Sequence, residues 1–321
     1  FDADTGFSLN GENVKLKGVC MHHDQGALGA AAYRDAVYRQ VRMLKEMGCN
    51  AIRTSHSTPA DVLLDACNEL GMMVMDETYD GWEYAKNGNS QDFGTHFNRT
   101  IAADNQILGA KTGDTWYKFV LESNIHRDKN DPSVIMWDIG NELNFGVPGS
   151  NNYLQYARNM IQYIQAIDDT RPITSGDNNP GGNQSSYPSD FRNQITAELA
   201  NSGGVAGMNY SMSAISGVHS VHPDWKIVAT ETASPSNSRG IYNTTSQYGR
   251  NGDYQCTAYD TNCVGWGNVA REAWYYTIKD DFVSGEFIWT GFDYIGEPTP
   301  WNGTSSGSVS GDQKAVPNSS Y

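Results

Sequence analysis

Residues 51–77 read AIRTSHSTPADVLLDACNELGMMVMDE. Ala51-Ile52 has the character of a short strand, and it runs straight into the polar Arg53-Thr54-Ser55-His56. Pro59 is expected to open a helix that places Val62, Leu63, Ala66 and Leu70 on one face and stops at Gly71. Met72 to Met75 form the next strand, which also ends in polar residues, Asp76-Glu77. An apolar strand, a polar strand end, a helix and a second apolar strand with a polar end make one unit of a parallel sheet with a helical crossover.

The same unit recurs on both sides. Upstream, Val14 to Val19 is a strand ending at His22-His23. It is followed by a helix over about Tyr33 to Met47, with Val37, Val41, Leu44 and Met47 on one face and Gly48 as its C-cap. Downstream, Val134-Ile135-Met136-Trp137 leads to Gly140-Asn141-Glu142, Pro172 to Ser175 leads to Asp177, and Val205 to Met208 leads to Asn209-Tyr210. Ile227-Val228-Ala229 leads to Glu231, and Phe287-Ile288-Trp289 leads to Asp293. Helices are expected at Trp116 to Arg127, Tyr153 to Ile167, near Phe191 to Leu199, and at Asn268 to Ile278.

Eight such strands favour a closed (β/α)8 TIM barrel over an open doubly wound sheet. No G-x-G-x-x-G follows the first strand, which counts against a dinucleotide fold, and no sequence unit repeats, so a solenoid is not supported. The Gly- and Asn-rich stretch 78–115 reads as a long loop or insertion within the barrel. Residues 1–321 are taken as one barrel; the Pro, Gly, Ser and Asn-rich tail after Glu297 carries no eighth helix, so truncation is expected there.

In a parallel barrel all strand ends meet on one face, where barrel active sites sit. His22 and His23, Arg53 and His56, Asp76 and Glu77, Asn141 and Glu142, Asp177, Asn209 and Tyr210, Glu231, and Asp293 with Trp289 beside it would therefore line one mouth. Adjacent His22-His23 point to opposite faces of an extended chain, which disfavours a shared metal ion. No G-x-S-x-G supports a serine nucleophile. No Gly-rich turn with a basic residue suits a phosphate. What remains is a carboxylate pair, Glu142 on strand four and Glu231 on strand seven, 89 residues apart. Two carboxylates across a mouth suit glycosidic bond cleavage, one protonating the leaving oxygen while the other stabilises or attacks the anomeric carbon. Either could instead be an ion-pair partner at the rim, and position alone fixes neither stereochemistry nor sugar.

Composition agrees. The chain has 321 residues with 22 Lys+Arg against 37 Asp+Glu, a formal net charge of −15. Such a surface repels polyphosphates, so no nucleic-acid partner is expected. No run of about 18 apolar residues implies a membrane span. Charged residues are only 18%, while 33 Gly and 11% aromatics enrich the mixture that handles sugars. Cys20, Cys49 and Cys67 read as buried small hydrophobes. Cys256 and Cys263 share one polar loop and are either disulfide-linked or free. No leader is seen and the first residue is Phe1, so the chain reads as a fragment or processed piece. Compartment is left open between a secreted or cell-surface bacterial location and the cytoplasm, as is oligomeric state.

At these motifs the chain resembles glycoside hydrolase family 2, of clan A. The resemblance runs along nearly the whole chain. It rests on Leu9-Asn10-Gly11 with Leu16-Lys17-Gly18-Val19, on Asn50-Ala51-Ile52-Arg53-Thr54-Ser55-His56, and on Asp76-Glu77. It continues in Arg127-Asp128-Lys129-Asn130-Asp131-Pro132-Ser133-Val134-Ile135 with Trp137 and Gly140-Asn141-Glu142, in Asp169-Thr170-Arg171-Pro172, and in Phe287-Ile288-Trp289. The resemblance implies a retaining hydrolase with Glu142 as general acid/base and Glu231 as nucleophile. It implies that Tyr210 hydrogen-bonds the nucleophile and Arg53 stands beside it, together holding Glu231 ionised while Glu142 keeps its proton to higher pH. It further implies that Asn141 binds the sugar 2-OH, that His22 and His56 contact the sugar, and that Trp289 is the aromatic floor.

His22-His23-Asp24-Gln25-Gly26-Ala27-Leu28-Gly29, Asp80-Gly81-Trp82, Ser238-Arg239-Gly240 and the run Gly291 to Thr299 resemble microbial β-galactosidases. A β-galactoside is thus the expected substrate, with Asp293 facing the galactose O4/O6 edge. The Asn-x-Lys signature of β-glucuronidases is not seen near the end. After the third strand, Thr78-Tyr79-Asp80-Gly81-Trp82 replaces the acidic metal-ligand pattern of some relatives, so no metal and no cofactor is carried over. The family's two N-terminal β-sandwich domains are not in this sequence. The alternatives are another family member acting on a β-glucuronide, β-mannoside or α-arabinopyranoside, or a non-catalytic carbohydrate-binding barrel.

Overall fold

A computed structural model describes residues 1–83, 92–143, 152–177, 191–235, 237, 239–242 and 257–294. It opens with a hairpin, β1 (Ser8–Leu9) and β2 (Glu12–Asn13). Asn10 and Gly11 form its two-residue turn with φ of 53° and 84°. The hairpin was not among the expected elements, although the Asn-Gly pair is its local signal, because both residues tolerate the left-handed conformation that the turn requires.

Eight parallel strands follow: β3 (Leu16–Met21), β4 (Ala51–Thr54), β5 (Met73–Glu77), β6 (Val134–Asn141), β7 (Ile173–Asp177), β8 (Ala206–Asn209), β9 (Ile227–Ala233) and β10 (Val283–Trp289). They close in sequence order, with β10 pairing both β9 and β3. The helices are α1 (Arg34–Met47), α2 (Asp61–Leu70), α3 (Trp116–Asp128), α4 (Tyr153–Gln165), α5 (Phe191–Asn201), α6 (Ile215–Val221) and α7 (Ala270–Ile278). This is the expected TIM barrel. The expected truncation at the eighth helix falls on residues 295–321, which lie outside the described residues.

α1 shows why these helices form. Val37, Val41 and Leu44 recur at helical spacing and are buried, and Gly48 at φ 102° ends the helix by donating its N–H to Leu44 and Lys45 carbonyls. Pro59 does not open α2; the helix begins at Asp61 after Ala60, and the Pro59 carbonyl instead accepts from Arg127 at 2.7 Å. α6 was not anticipated. Seven residues with Ile215 and Val218 buried hold too few repeats for a periodic signal.

Along the strands, neighbours belong to two different cores. Val19, Ile52 and Val74 pack outward against helices with Val41, Leu44, Leu64 and Leu121. Cys20, Ala51 and Met75, one residue away, join Leu16, Met136, Val228 and Phe287 in a second cluster that fills the inside of the barrel. Full burial of each large aliphatic side chain contributes about 1.5–3 kcal/mol. The stretch 78–115 forms no additional domain among the described residues. Its described residues include a 3₁₀ turn, Phe93–Thr95, and an isolated bridge between Thr100 and Thr115.

Candidate active site

The polar residues expected just past the strands are largely in them. Asp76 and Glu77 end β5, Asn141 ends β6, Asp177 ends β7, Asn209 ends β8, and Glu231 lies inside β9. Glu77, Asn141, Asn209 and Glu231 join an interior network around Arg53, whereas Asp76 meets Asn124 of α3 and Asp177 meets Thr196 of α5.

Arg53 on β4 is the centre. Its side chain is fully buried, with Nε donating to Asp138 Oδ2 at 2.9 Å and standing 3.1 Å from Glu77 Oε2. Nη1 donates to Glu231 Oε1 at 2.9 Å and to the Thr230 carbonyl at 3.2 Å, and Nη2 to Asn141 Oδ1 at 3.1 Å. One guanidinium thus faces three carboxyl groups in an interior without bulk water. Burial pushes the Asp138 carboxyl up to about 8, against the pull of Arg53, while its Oδ1 accepts from the Gly140 N–H at 3.2 Å and its Oδ2 from Arg53. The guanidinium is shared by Asp138, Glu77 and Glu231, and its bond to Glu231 fits the expectation that Arg53 holds Glu231 ionised.

Two ladder irregularities make this possible. Between β6 and β7, Asp138 pairs Thr174 and Asn141 pairs Gly176, three residues against two. Between β8 and β9, Gly207 pairs Val228 and Asn209 pairs Glu231, two against three. An extra residue in one strand re-aims the side chains beyond it. Hence Thr230 and its neighbour Glu231 both reach inward: Thr230 Oγ1 donates to Asn209 Oδ1 at 2.5 Å, while Glu231 meets Arg53. Strict alternation would have sent one of them outward. Gly176 is equally necessary, since a Cβ there would lie 2.6 Å from Arg53 Nη2 and 2.9 Å from Asn209 Oδ1.

The amide of Asn141 is oriented by donors. Its Oδ1 accepts from Arg53 and from Asn209 Nδ2, the latter at 2.9 Å, so its Nδ2 is left to donate to Asp80 Oδ1 at 3.1 Å and His56 Nε2 at 3.2 Å. His56 Nε2 is therefore an acceptor, and its proton is on Nδ1, 2.8 Å from Glu77 Oε1. His56 Nε2 also stands 3.6 Å from Glu231 Oε1.

Glu142 follows β6, is half-buried, and has φ 48°, with its N–H donated to the Gly176 carbonyl at 2.9 Å. Tyr210 follows β8 with the same φ and donates its N–H to the Glu231 carbonyl at 2.7 Å. Ala233 and Ser234, at the end of β9, have φ of 64° and 65°. Four non-glycine residues in the left-handed region around one mouth, at about 1–3 kcal/mol each, mark a functional constraint on the backbone. The Tyr210 hydroxyl is 2.8 Å from Ser234 Oγ. Burial, then the Glu231 carboxylate, hold this phenol well above its ordinary range, so it remains a neutral hydroxyl.

Aromatic rings form one wall. His56 stacks on Trp289 with centroids 5.3 Å apart and planes at 7°, and His22 meets both edge-on while stacking on Tyr294 at 4.3 Å. His23 turns elsewhere, its Nε2 accepting from the Ala60 N–H at 3.2 Å, as its adjacency to His22 requires. Asp293 lies just past β10 and is exposed. Among the described residues no set of three or more His, Cys, Asp or Glu converges to hold a metal ion. Cys20 and Cys67 are buried and Cys49 half-buried; Cys256 lies outside the described residues, and with it the question of its pairing to Cys263.

The structure thus brings Arg53, His56, Asn141 and Glu231 into one bonded network, with His22 and Trp289 as its aromatic flank. Asp138 and Gly176 were missed from sequence. Asp138 looks like one polar residue in an apolar strand, and Gly176 has no local signal at all, because its role is to leave room for a side chain from β4.

Residues 3–320 match the family model described as glycosyl hydrolases family 2, TIM barrel domain. The chain is 35% identical to the β-galactosidase BoGH2A of Bacteroides ovatus over 94% of its own length and 36% of that protein's. It is 25% identical to a β-glucuronidase of Bacteroides fragilis, over 91% of itself and 38% of the relative. Among solved structures it is similar to a β-glycosidase from Bacteroides vulgatus, with a TM-score of 0.72, 29% identity, and coverage of 92% of this chain and 37% of that one. The chain spans little more than a third of the length of each of these relatives.

Proposed function

The chain belongs to glycosyl hydrolase family 2, and from that premise we propose that it is the catalytic barrel of a retaining exo-β-galactosidase. The observation that carries the reading is the buried Arg53–Glu231 pair at 2.9 Å, with the Asn141-Glu142 strand end three strands away around the mouth. A carboxylate fixed by a guanidinium is ionised and aimed, as a nucleophile must be. Glu231 attacks the anomeric carbon and forms a glycosyl ester, while Glu142 gives its proton to the departing oxygen. Glu142 then takes a proton from water, whose oxygen attacks the anomeric carbon and releases Glu231; two inversions give retention. Asn141 is the amide for the sugar 2-OH, Tyr210 and Arg53 hold the nucleophile, and His22, His56 and Trp289 form the flank against which the ring lies. Galactose is favoured over a uronate by the 35% identical relative named a β-galactosidase and by Asp293 at the mouth, where a carboxylate repels a substrate carboxylate.

Replacing Glu231 with Ala abolishes turnover of an aryl β-galactoside, and added azide restores it with formation of the α-galactosyl azide. Glu142→Gln slows substrates with poor leaving groups most. Full activity in either variant ends the proposal, and preference for an aryl glucuronide, mannoside or arabinopyranoside over the galactoside replaces the sugar.

A further inference from the structure

Beside His56 a cavity of about 430 Å³ opens on the mouth of the barrel. His22 and His56 form the wall it shares with the cleaved-sugar site; the rest comes mainly from the loop after β4, which supplies Ser57 and Thr58, and from the stretch after β5, which supplies Tyr79, Asp80 and Phe93. Phe93 is the unusual member. It is 37% exposed, yet its ring is held parallel to the buried Tyr79 ring at 5.7 Å, with planes at 5°. Asp92 fixes the turn on which it rides, accepting from the Gly94 N–H at 2.8 Å. A rigid aromatic face beside two hydroxyls and a carboxylate is the surface that binds a pyranose, whose CH groups stack while its OH groups hydrogen-bond.

The position of the cavity says which sugar. In the ring of eight, β5 lies four strands from β9, and so directly across from Glu231, and it adjoins β6, which presents Glu142. Asp80 ties the cavity to that strand end, accepting from the Asn141 N–H at 3.1 Å through its carbonyl and from Asn141 Nδ2 through its carboxylate. A leaving group departs on the side opposite the nucleophile and takes its proton from the acid. We infer that this cavity is the leaving-group subsite for a sugar or sugar-like aglycone, lined by residues 78–82 and 92–94 of the stretch after β5, with Phe93 as its stacking face. The inference rests on the glycosidase reading above, and it assigns to that stretch a role in choosing the aglycone rather than the cleaved sugar.

The test compares two substrates of the full-length protein: β-galactosyl fluoride, whose leaving group has no ring, and lactose, whose leaving group is a pyranose. Phe93→Ala is expected to lower kcat/KM for lactose about tenfold, chiefly through KM, and to change the fluoride rate by less than about twofold. Phe93→Tyr keeps both rates. Phe93→Leu preserves bulk against Tyr79 and is expected to lose the lactose rate alone, which separates stacking from a folding effect. An equal fall on both substrates in the Leu variant overturns the subsite, as does an unchanged lactose rate in the Ala variant. Failure of the wild-type protein on both substrates is a different result, and removes the galactosidase reading instead.

Discussion

Replacing Arg53 with Lys keeps a buried positive charge but removes the fork. In the wild type, Nη1 lies 2.9 Å from Glu231 Oε1, and both side chains are shielded from solvent. With the charge centred about 4 Å from that oxygen and an effective dielectric near 20, the attraction is about 4 kcal/mol. An ammonium nitrogen at the end of the shorter lysine, held toward Asp138 and Glu77, would stand about 6 Å away and retain about 3 kcal/mol. The lost charge-assisted hydrogen bond adds a deficit of about 1 kcal/mol or more. A total of roughly 1.5–3 kcal/mol corresponds to one to two pH units. As the proposed nucleophile, Glu231 must be ionised to attack, so activity is expected to fall as pH drops through its pKa; weaker pairing raises that pKa and moves the acidic limb to higher pH. The assay is kcat/KM for an aryl galactoside between about pH 4 and 9, with circular dichroism as the check on folding. The expected profile has its acidic limb one to two units higher and its activity recovered above it. A limb that stays in place, or a folded variant that does not recover at high pH, refutes the claim that Arg53 acts through the ionisation of Glu231.

Two further predictions concern stability. Glu286 on β10 is buried, its Oε2 accepts from Thr277 at 3.2 Å, and burial pushes its carboxyl up to about 7. Its raised pKa favours folding most at low pH and less as pH climbs from 4.5 through 7. Glu286→Gln should therefore stabilise the chain by about 3 kcal/mol at pH 8 and little at pH 4, read from denaturant unfolding; equal unfolding of both proteins at pH 8 contradicts this. Asp168 bonds Thr170, Arg171 and the Trp137 indole, and despite its burial these bonds hold its carboxyl down at about 2. Its contribution is present above about pH 4 and vanishes as pH falls through 2. Asp168→Asn should lower the melting temperature at pH 7, with the gap to wild type closing in acid; a gap that persists unchanged at pH 2 would point to shape rather than charge.

Much of the barrel was legible because its signals are local. The spacing of Val37, Val41 and Leu44 and the glycine after them define α1 whatever surrounds it. The alternation of apolar strands with polar ends required only counting. The strand ends were harder: Glu231 was expected after its strand on grounds of hydrophobicity and Asp138 was missed, whereas the ladder continues through both because Arg53 satisfies them. That satisfaction is a property of three strands meeting, which no window of sequence contains. Asn209 was noted only as a polar strand end, and its bond to Asn141 joins residues 68 apart.

By itself the sequence determined the parallel strand-helix order, the number of strands, and the two glutamates on strands four and seven, because each follows from periodicity and from polar residues at predictable intervals. Only the tertiary structure decided which side chains face inward. One extra residue in β6 and one in β9, visible only against β7 and β8, turn Asn141 and Glu231 into the barrel with their neighbours. Register is set by pairing between strands and not within one, and the site depends on that pairing.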